Sequence, residues 1–341
     1  MSTGLSLLGG TLLIAVAAIA TAGLIAALRP LLRRYALARP NARSSHAEPT
    51  PQGAGLAIIL MPIVWLLALA WLDGTLTVAW PLQLALALAL LAVTGAFDDI
   101  RPLPVVVRLT IQLVAAALVV LAVPGDARIF PVLPHWLETA GMVIGLIWFI
   151  NLTNFMDGID GITVVEIVSV CTGLILIAAM TNTAGGDAVT PLAVVLVGAL
   201  VGFAPYNKHV ASVFMGDVGS LPIGALTGWM LIVIGAEGNL AAVMLLPLYY
   251  IADTTTTLYR RWRNGEKLHH AHRTHYYQLA VQRGFSVPEV NNRIFGLNIV
   301  LILLALLSVE MDSVVVDATT LIAGLILTAA LLRHFERGRN V

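Results

Sequence analysis

GLIWFINLTNFMDGIDGITVVEIVSVCTGLILIAAM, residues 145–180, sets two aspartates three apart, each followed by glycine, between two apolar runs. A single helix through this stretch would carry Asp157 and Asp160 on one face, because residues three apart are neighbours on a helix surface. The glycines at 158 and 161 instead permit a bend or a close approach by a ligand. Asp160 alone would serve as an ordinary cap for the following helix. Two carboxylates with Asn151 and Asn154 just upstream exceed what a cap requires. The segment reads as a polar connection between two membrane spans, holding either helix ends or something positive.

The rest of the chain fits that frame. Of 341 residues, 59% are hydrophobic and 11% charged, and the mean hydropathy is +0.90. A soluble domain carries about 25% charged residues. The apolar runs are continuous and roughly 16–22 residues long, enough for a helix to cross about 30 Å of hydrocarbon. They do not alternate, which excludes a β-barrel. Cys171 is the only cysteine, so neither a disulfide framework nor a cysteine metal site is available. No basic residue precedes the first run, and a retained first span is expected rather than a cleaved signal peptide.

The expected fold is an all-α polytopic membrane protein of about eleven transmembrane helices: 5–28, 54–72, 79–97, 105–123, 138–153, 162–180, 188–205, 220–236, 239–257, 292–309 and 316–332. The fifth is short and is expected to tilt little or to be partly re-entrant. With the N-terminus outside and the C-terminus cytoplasmic, 18 of the 19 lysines and arginines fall on the inner side, and Arg128 alone falls outside. One integral-membrane domain is expected over 1–341. Its inner loops 29–53, 98–104, 154–161, 206–219 and 258–291 would form the active face. On the outer side, His135 reads as an interfacial residue beside Trp136.

The inner connections collect the remaining chemistry. GAFDDIRPLPVVVRLTIQ, 95–112, ends the third span with Asp98 and Asp99. Negative charge is disfavoured at a helix C-terminus, and adjacent carboxylates repel unless a cation or arginine is near. In YNKHVASVFMGDVGSLPIGAL, 206–226, Asp217 stands among glycines at the start of a span. Small residues there would expose amide groups as a phosphate seat. Lys208 and His209 suit phosphate contact or plain inner-side charge. The loop at 258–291 holds four histidines, 269, 270, 272 and 275, with Arg273 and tyrosines 276 and 277. Zinc is conceivable, but arginine for diphosphate and aromatics for a ring suit an anionic sugar nucleotide better. Arg260, Arg261 and Arg263 read equally as positive-inside anchors. Asp253 and Glu166 lie near the ends of spans, where an acid usually pairs or functions. Such an oxygen-rich, cysteine-free face suits a magnesium-dependent enzyme acting on a diphosphate.

DDIRPLPVVVRLTIQ, NLTNFMDGIDGI, FMGDVGS and HRTHYYQ, in this order, resemble the motifs of the polyprenyl-phosphate N-acetylhexosamine-1-phosphate transferases (glycosyltransferase family 4). That family includes the O-antigen-initiating enzymes and the phospho-MurNAc-pentapeptide translocase. ARPNARSSHAEPTPQGAG, 38–55, also resembles the family's first inner loop. The resemblance implies transfer of a UDP-activated N-acetylhexosamine 1-phosphate to undecaprenyl phosphate with release of UMP. It implies Mg2+, with Mn2+ able to substitute, and a bacterial inner-membrane location with the site facing the cytoplasm. The implied partners are undecaprenyl phosphate, a UDP-N-acetyl sugar, the lipid bilayer and a second copy in a homodimer, with no nucleic acid. By position, Asp98, Asp99 and Asp217 correspond to catalytic aspartates, with Asp217 and Asp99 as metal ligands. Asn154, Asp157, Asp160, Lys208, Arg273 and His275 correspond to substrate-binding positions. HRTHYYQ is similar to the O-antigen branch, whose donors include GlcNAc and 6-deoxy relatives. The pentapeptide branch carries a lysine soon after its aspartate pair and three consecutive histidines, where this chain reads IRPLP and HHAH. A proton-coupled transporter is the rival from another class, but transporters place their binding groups near mid-membrane.

Overall fold

The computed structural model describes residues 6–38, 49–72, 79–123, 128–267 and 272–339. Thirteen helices follow one another among them: α1 Leu7–Tyr35, α2 Gly55–Leu72, α3 Ala79–Ile100, α4 Val105–Leu121, α5 His135–Met156, α6 Ile162–Thr181, α7 Ala184–Asn207, α8 Asp217–Ala236, α9 Leu240–Leu245, α10 Leu248–Arg263, α11 Tyr276–Gln282, α12 Val287–Met311 and α13 Val314–Arg337. A two-residue antiparallel ribbon, β1 Leu37–Ala38 with β2 Thr50–Pro51, is the one departure from the all-α expectation among the described residues. His269 and His270, and residues 39–48 of the first inner loop, lie outside the described residues.

Nine of these helices are long and apolar enough to cross a membrane: α1, α2, α3, α5, α6, α7, α8, α12 and α13. α4 is apolar but shorter, at 17 residues. The remaining expected span, 239–257, is not one helix. It breaks at Leu246 and Pro247 into the six-residue α9 and the separate α10. Proline supplies no N–H and clashes with the preceding turn, so a continuous helix through 247 is disfavoured. The fifth span also differs from expectation. α5 runs 22 residues from His135 to Met156, starting directly after Pro134 and continuing through Asn154 to its cap at Asp157.

α8 is the axis of the bundle. It is 94% buried along its apolar window, and α2, α3, α4, α5, α6, α7 and α9 pack around it. α1 and α13 lie at the periphery with long rows of exposed leucine, isoleucine and valine, as lipid-facing helices do. Caps set the connections. Asn182 in the left-handed region and the Thr183 hydroxyl, which accepts from Gly186 N–H, turn α6 tightly into α7. Ser286 and Glu289 form a capping box that starts α12.

Glycine decides how closely α8 is approached. A Cβ on Gly55 would lie 2.2 Å from the Cα of Gly219, and one on Gly95 would lie 2.3 Å from the carbonyl of Asp217. Backbones meet there without side chains between them, the usual device where membrane helices cross closely. Gly219→Val is therefore expected to lower stability by about 1–3 kcal/mol or more through overpacking. Gly296→Ala, which points into open space, should be close to neutral. Thermal melting of the two purified variants in one detergent checks the contrast; equal melting would contradict the close crossing.

Candidate active site

Five connections converge on the N-terminal end of α8. Residues 53–55 donate backbone hydrogen bonds to the carbonyls of Phe214 and Met215, and Gln52 pairs with Phe214 in an isolated bridge. The Gln52 side chain donates to the Asp99 carbonyl at 2.8 Å. The first inner loop, the end of α3 and the 214–217 turn thus form one body.

Asp99 is the brace of that body. Its Oδ1 accepts from the Asp217 N–H at 2.9 Å and its Oδ2 from the Val218 N–H at 3.1 Å. Gly216, at φ +77°, makes room: a Cβ there would meet Asp99 Oδ2 at 2.4 Å. The next two amides, of Gly219 and Ser220, donate to the Gly216 carbonyl. All four N–H groups from 217 to 220 are therefore engaged. The expected phosphate seat on these amides is not open, because a carboxylate of the chain itself and the turn carbonyl fill it.

Asp98 points elsewhere. It accepts from the Leu103 N–H at 2.6 Å and from Arg108 at 2.7 Å, which answers the repulsion expected of adjacent carboxylates. Asp98 also lies within hydrogen-bond reach of the Asp217 carboxyl. Asn154 donates to Asp217 Oδ1 at 2.7 Å and to the Ser220 hydroxyl at 2.8 Å, tying α5 to α8. Asn151, one turn earlier, pairs reciprocally with Gln112 of α4 and belongs to the helix packing.

Asp157 follows α5 as its C-cap and accepts from the Thr163 hydroxyl at 2.6 Å. Burial raises its carboxyl to about 6, against the Thr163 hydrogen bond and with a smaller push from Asp160. Asp160 is buried, and its Oδ2 accepts from His209 at 2.9 Å and from the Ala211 N–H at 3.2 Å. It fastens the 157–161 loop to the loop after α7, with Asn207 accepting from the Gly161 N–H. Lys208 is exposed at the end of α7.

The segment 272–277 closes the group from the α10 side. Tyr277 donates its hydroxyl to the Phe155 carbonyl at 3.0 Å, and a Cβ on Gly158 would fall 2.0 Å from that hydroxyl. Gly158 is thus required by close packing, not by a bend. His275 is buried against Asp253. Arg273 is half-buried, and its Nε has no hydrogen-bond partner among the described residues. Arg260 reaches the Thr274 carbonyl and Glu336 of α13, and lies 4.3 Å from the centre of the Tyr276 ring. It does more than anchor. Sequence reasoning suspected Asp253 for its depth but did not connect it with His275, 22 positions away.

No group of three or more His, Cys, Asp or Glu among the described residues forms a ready metal cage. Magnesium does not require one, since it commonly takes one or two carboxylates plus substrate phosphates and waters. Asp98 and Asp217 supply hard oxygen atoms side by side, a like-charge contact that a divalent cation would relieve. The donor set fits magnesium.

A polytopic helical membrane protein with an acidic cluster at one end of its bundle is the class defined so far. Residues 81–235 match the family model described as Glycosyl transferase family 4, the family that the motifs of this chain resemble. The matched stretch contains the brace, Asn154, Asp157, Asp160, Lys208 and Asp217, but not the 272–277 segment. The chain is 27% identical over 275 residues to "Probable undecaprenyl-phosphate N-acetylglucosaminyl 1-phosphate transferase" of Bacillus subtilis, covering 76% of this chain and 75% of that protein. It is 28% identical over 221 residues to "Decaprenyl-phosphate N-acetylglucosaminephosphotransferase" of Mycolicibacterium smegmatis, covering 58% and 53%. To "Phospho-N-acetylmuramoyl-pentapeptide-transferase" of Limosilactobacillus reuteri it is 30% identical over 124 residues, covering 36% and 38%. The chain thus spans about half or less of the length of the last two.

Asp157 gives a pH test. Its folded value, about 6, lies above the ordinary 3.8. Its neutral form is the one folding favours, so its stabilising contribution is complete below 3.8 and lost as pH rises through about 6. With divalent cations removed, Asp157→Asn should lack the part of the stability decline between those values that the wild-type protein shows. Melting curves across that window check it; parallel profiles would contradict the burial of this carboxyl.

Proposed function

We propose that the chain transfers a UDP-activated N-acetylhexosamine 1-phosphate, GlcNAc or a 6-deoxy relative, to undecaprenyl phosphate and releases UMP. The observation that carries this reading is the convergence of Asp98, Asn154, Asp157 and Asp217 on one end of α8, with the 272–277 segment locked to the same loop through Tyr277 and Gly158. The relative of Bacillus subtilis, matched over three quarters of each chain, bears a name of that activity. The pathway proposed for the product is O-antigen or a related cell-envelope polysaccharide. The proposed orientation puts this end of the bundle in the cytoplasm of a bacterial inner membrane, N-terminus outside, as the arginine and lysine distribution favours.

The acceptor phosphate is already largely ionised near neutral pH, so the chemistry needs alignment and charge neutralisation more than a strong base. Asp217 with Asp98 would hold magnesium, with Asp99 keeping the helix start beneath it in place. When bound, the metal supplies positive charge to the diphosphate. Asn154 orients the Asp217 carboxylate through its amide. Arg273 offers a guanidinium fork to phosphate oxygens, and His275 offers a ring nitrogen.

Purified enzyme should release UMP from UDP-GlcNAc or a 6-deoxy UDP-sugar only when polyprenyl phosphate is added. Asp217→Asn should lower turnover by at least about 100-fold while the protein remains folded. Arg273→Lys keeps the charge but loses the fork, and the donor KM should rise about tenfold with little change for the acceptor. Turnover without acceptor, or undiminished activity of D217N, would contradict the assignment. Efficient use of UDP-MurNAc-pentapeptide would move the chain to the other branch of the family. Cysteine labelling at Lys208 from the outside of intact cells would reverse the orientation.

A further inference from the structure

Asp253 sits in α10 with no exposed surface, and it gathers five hydrogen-bond donors. The Tyr249 and Thr257 hydroxyls come from one turn before and one turn after it, each at 3.2 Å. The other three come from the donor-side segment: His275 Nδ1 at 3.0 Å, the Tyr276 N–H at 3.1 Å and the Tyr277 N–H at 3.2 Å. A carboxylate has about four lone-pair directions and only accepts, so five inward-facing donors leave it fully engaged. Such a group has no capacity left for substrate. Its effect passes to what it holds.

What it holds is specific. Nδ1 of His275 faces a carboxylate oxygen that has no proton to give, so that nitrogen carries the hydrogen and Nε2 is left as the acceptor of the ring. The ring is also stacked on His272, with centroids 5.0 Å apart, and on Tyr277 at 5.7 Å. Tyr277 in turn reaches the Phe155 carbonyl beside Asp157. One buried carboxylate thereby sets the tautomer and tilt of His275 and the distance between the 272–277 segment and the 157–161 loop.

We propose that Asp253 is a positioning residue for sugar-nucleotide binding, acting through His275 by fixing its proton on Nδ1. The proposal rests on the transferase reading for the identity of the ligand, and on geometry alone for the tautomer. Two measurements on the full-length protein in detergent micelles keep these apart. The first is nitrogen NMR of histidine-labelled wild-type protein near neutral pH, with the His275 signals assigned by their loss in His275→Gln. A protonated Nδ1 is expected; a bare Nδ1 with the proton on Nε2, the tautomer free histidine prefers, would overturn the proposal. This readout needs neither activity nor a foldable Asp253 variant.

The second is a kinetic cycle of Asp253→Asn, His275→Gln and the double variant with UDP-GlcNAc. D253N should raise the donor KM at least about tenfold, as loss of a charged hydrogen bond does, and leave the polyprenyl-phosphate KM within about twofold. The double variant should be no worse than H275Q, because the two residues act as one unit. Full additivity, or an acceptor KM that rises in step with the donor KM, would overturn the positioning role. Absence of UMP release by wild-type protein with any UDP-sugar would sink the transferase reading and the donor role with it, while the NMR result would still decide the tautomer.

Discussion

Asp99 stands at the C-terminal end of α3 and at the N-terminal end of α8 at once. At the first position its charge opposes the helix dipole; at the second it complements it. The two hydrogen bonds to the Asp217 and Val218 amides, each of the charged kind worth about 1.5–3 kcal/mol, resolve the conflict. They also explain the glycines. Gly95 lets the α3 backbone reach the Asp217 carbonyl, and Gly216 leaves room for the carboxylate. Asp98 and Asp217 are placed by this junction, because each hangs from one of the two helices it joins, and Asn154 of α5 is tied to it through Asp217 and Ser220.

The outer parts of the site are secured by similar means. Asp160 ties the 157–161 loop to the loop after α7, and Asp253 ties 275–277 to α10. These carboxylates are spent on N–H and O–H groups of the chain. Asp98 and Asp217 lie beside each other, one paired with Arg108 and the other with the Asn154 amide, and they are the acids proposed for the chemistry. Buried polar groups must be satisfied, and the structural acids satisfy the irregular backbone that the site requires.

The membrane class and the approximate span positions were legible from hydropathy and run length, which depend only on local composition. Ten of the eleven expected spans appear as helices. The exception, 239–257, failed at Pro247, where apolar composition outweighed backbone chemistry in the reading. The fifth span, expected over 138–153, is three residues longer at each end. That Asp98, Asp99, Asn154, Asp157 and Asp217 gather at one end of the bundle was also legible. Their division of labour was not. Nothing in GAFDDIRP says that one aspartate turns to Arg108 and the other to a helix 118 residues away. GDVGS read as an open phosphate seat because the carboxylate that fills it lies far off in the sequence. Asp253 could have been paired with the histidine segment by noting that an acid so deep requires donors and that 272–277 supplies them.

Asp99 holds the site together by bonding two backbone amides of α8. An asparagine at 99 would keep one acceptor but turn its NH2 group toward an N–H donor. The most direct measurement is the thermal unfolding of Asp99→Asn beside Asp217→Asn in the same detergent, without divalent cations. D99N should unfold at a clearly lower temperature than wild type, while D217N, which removes no bond to a backbone amide, should not. A D99N protein that melts with the wild type would contradict the account.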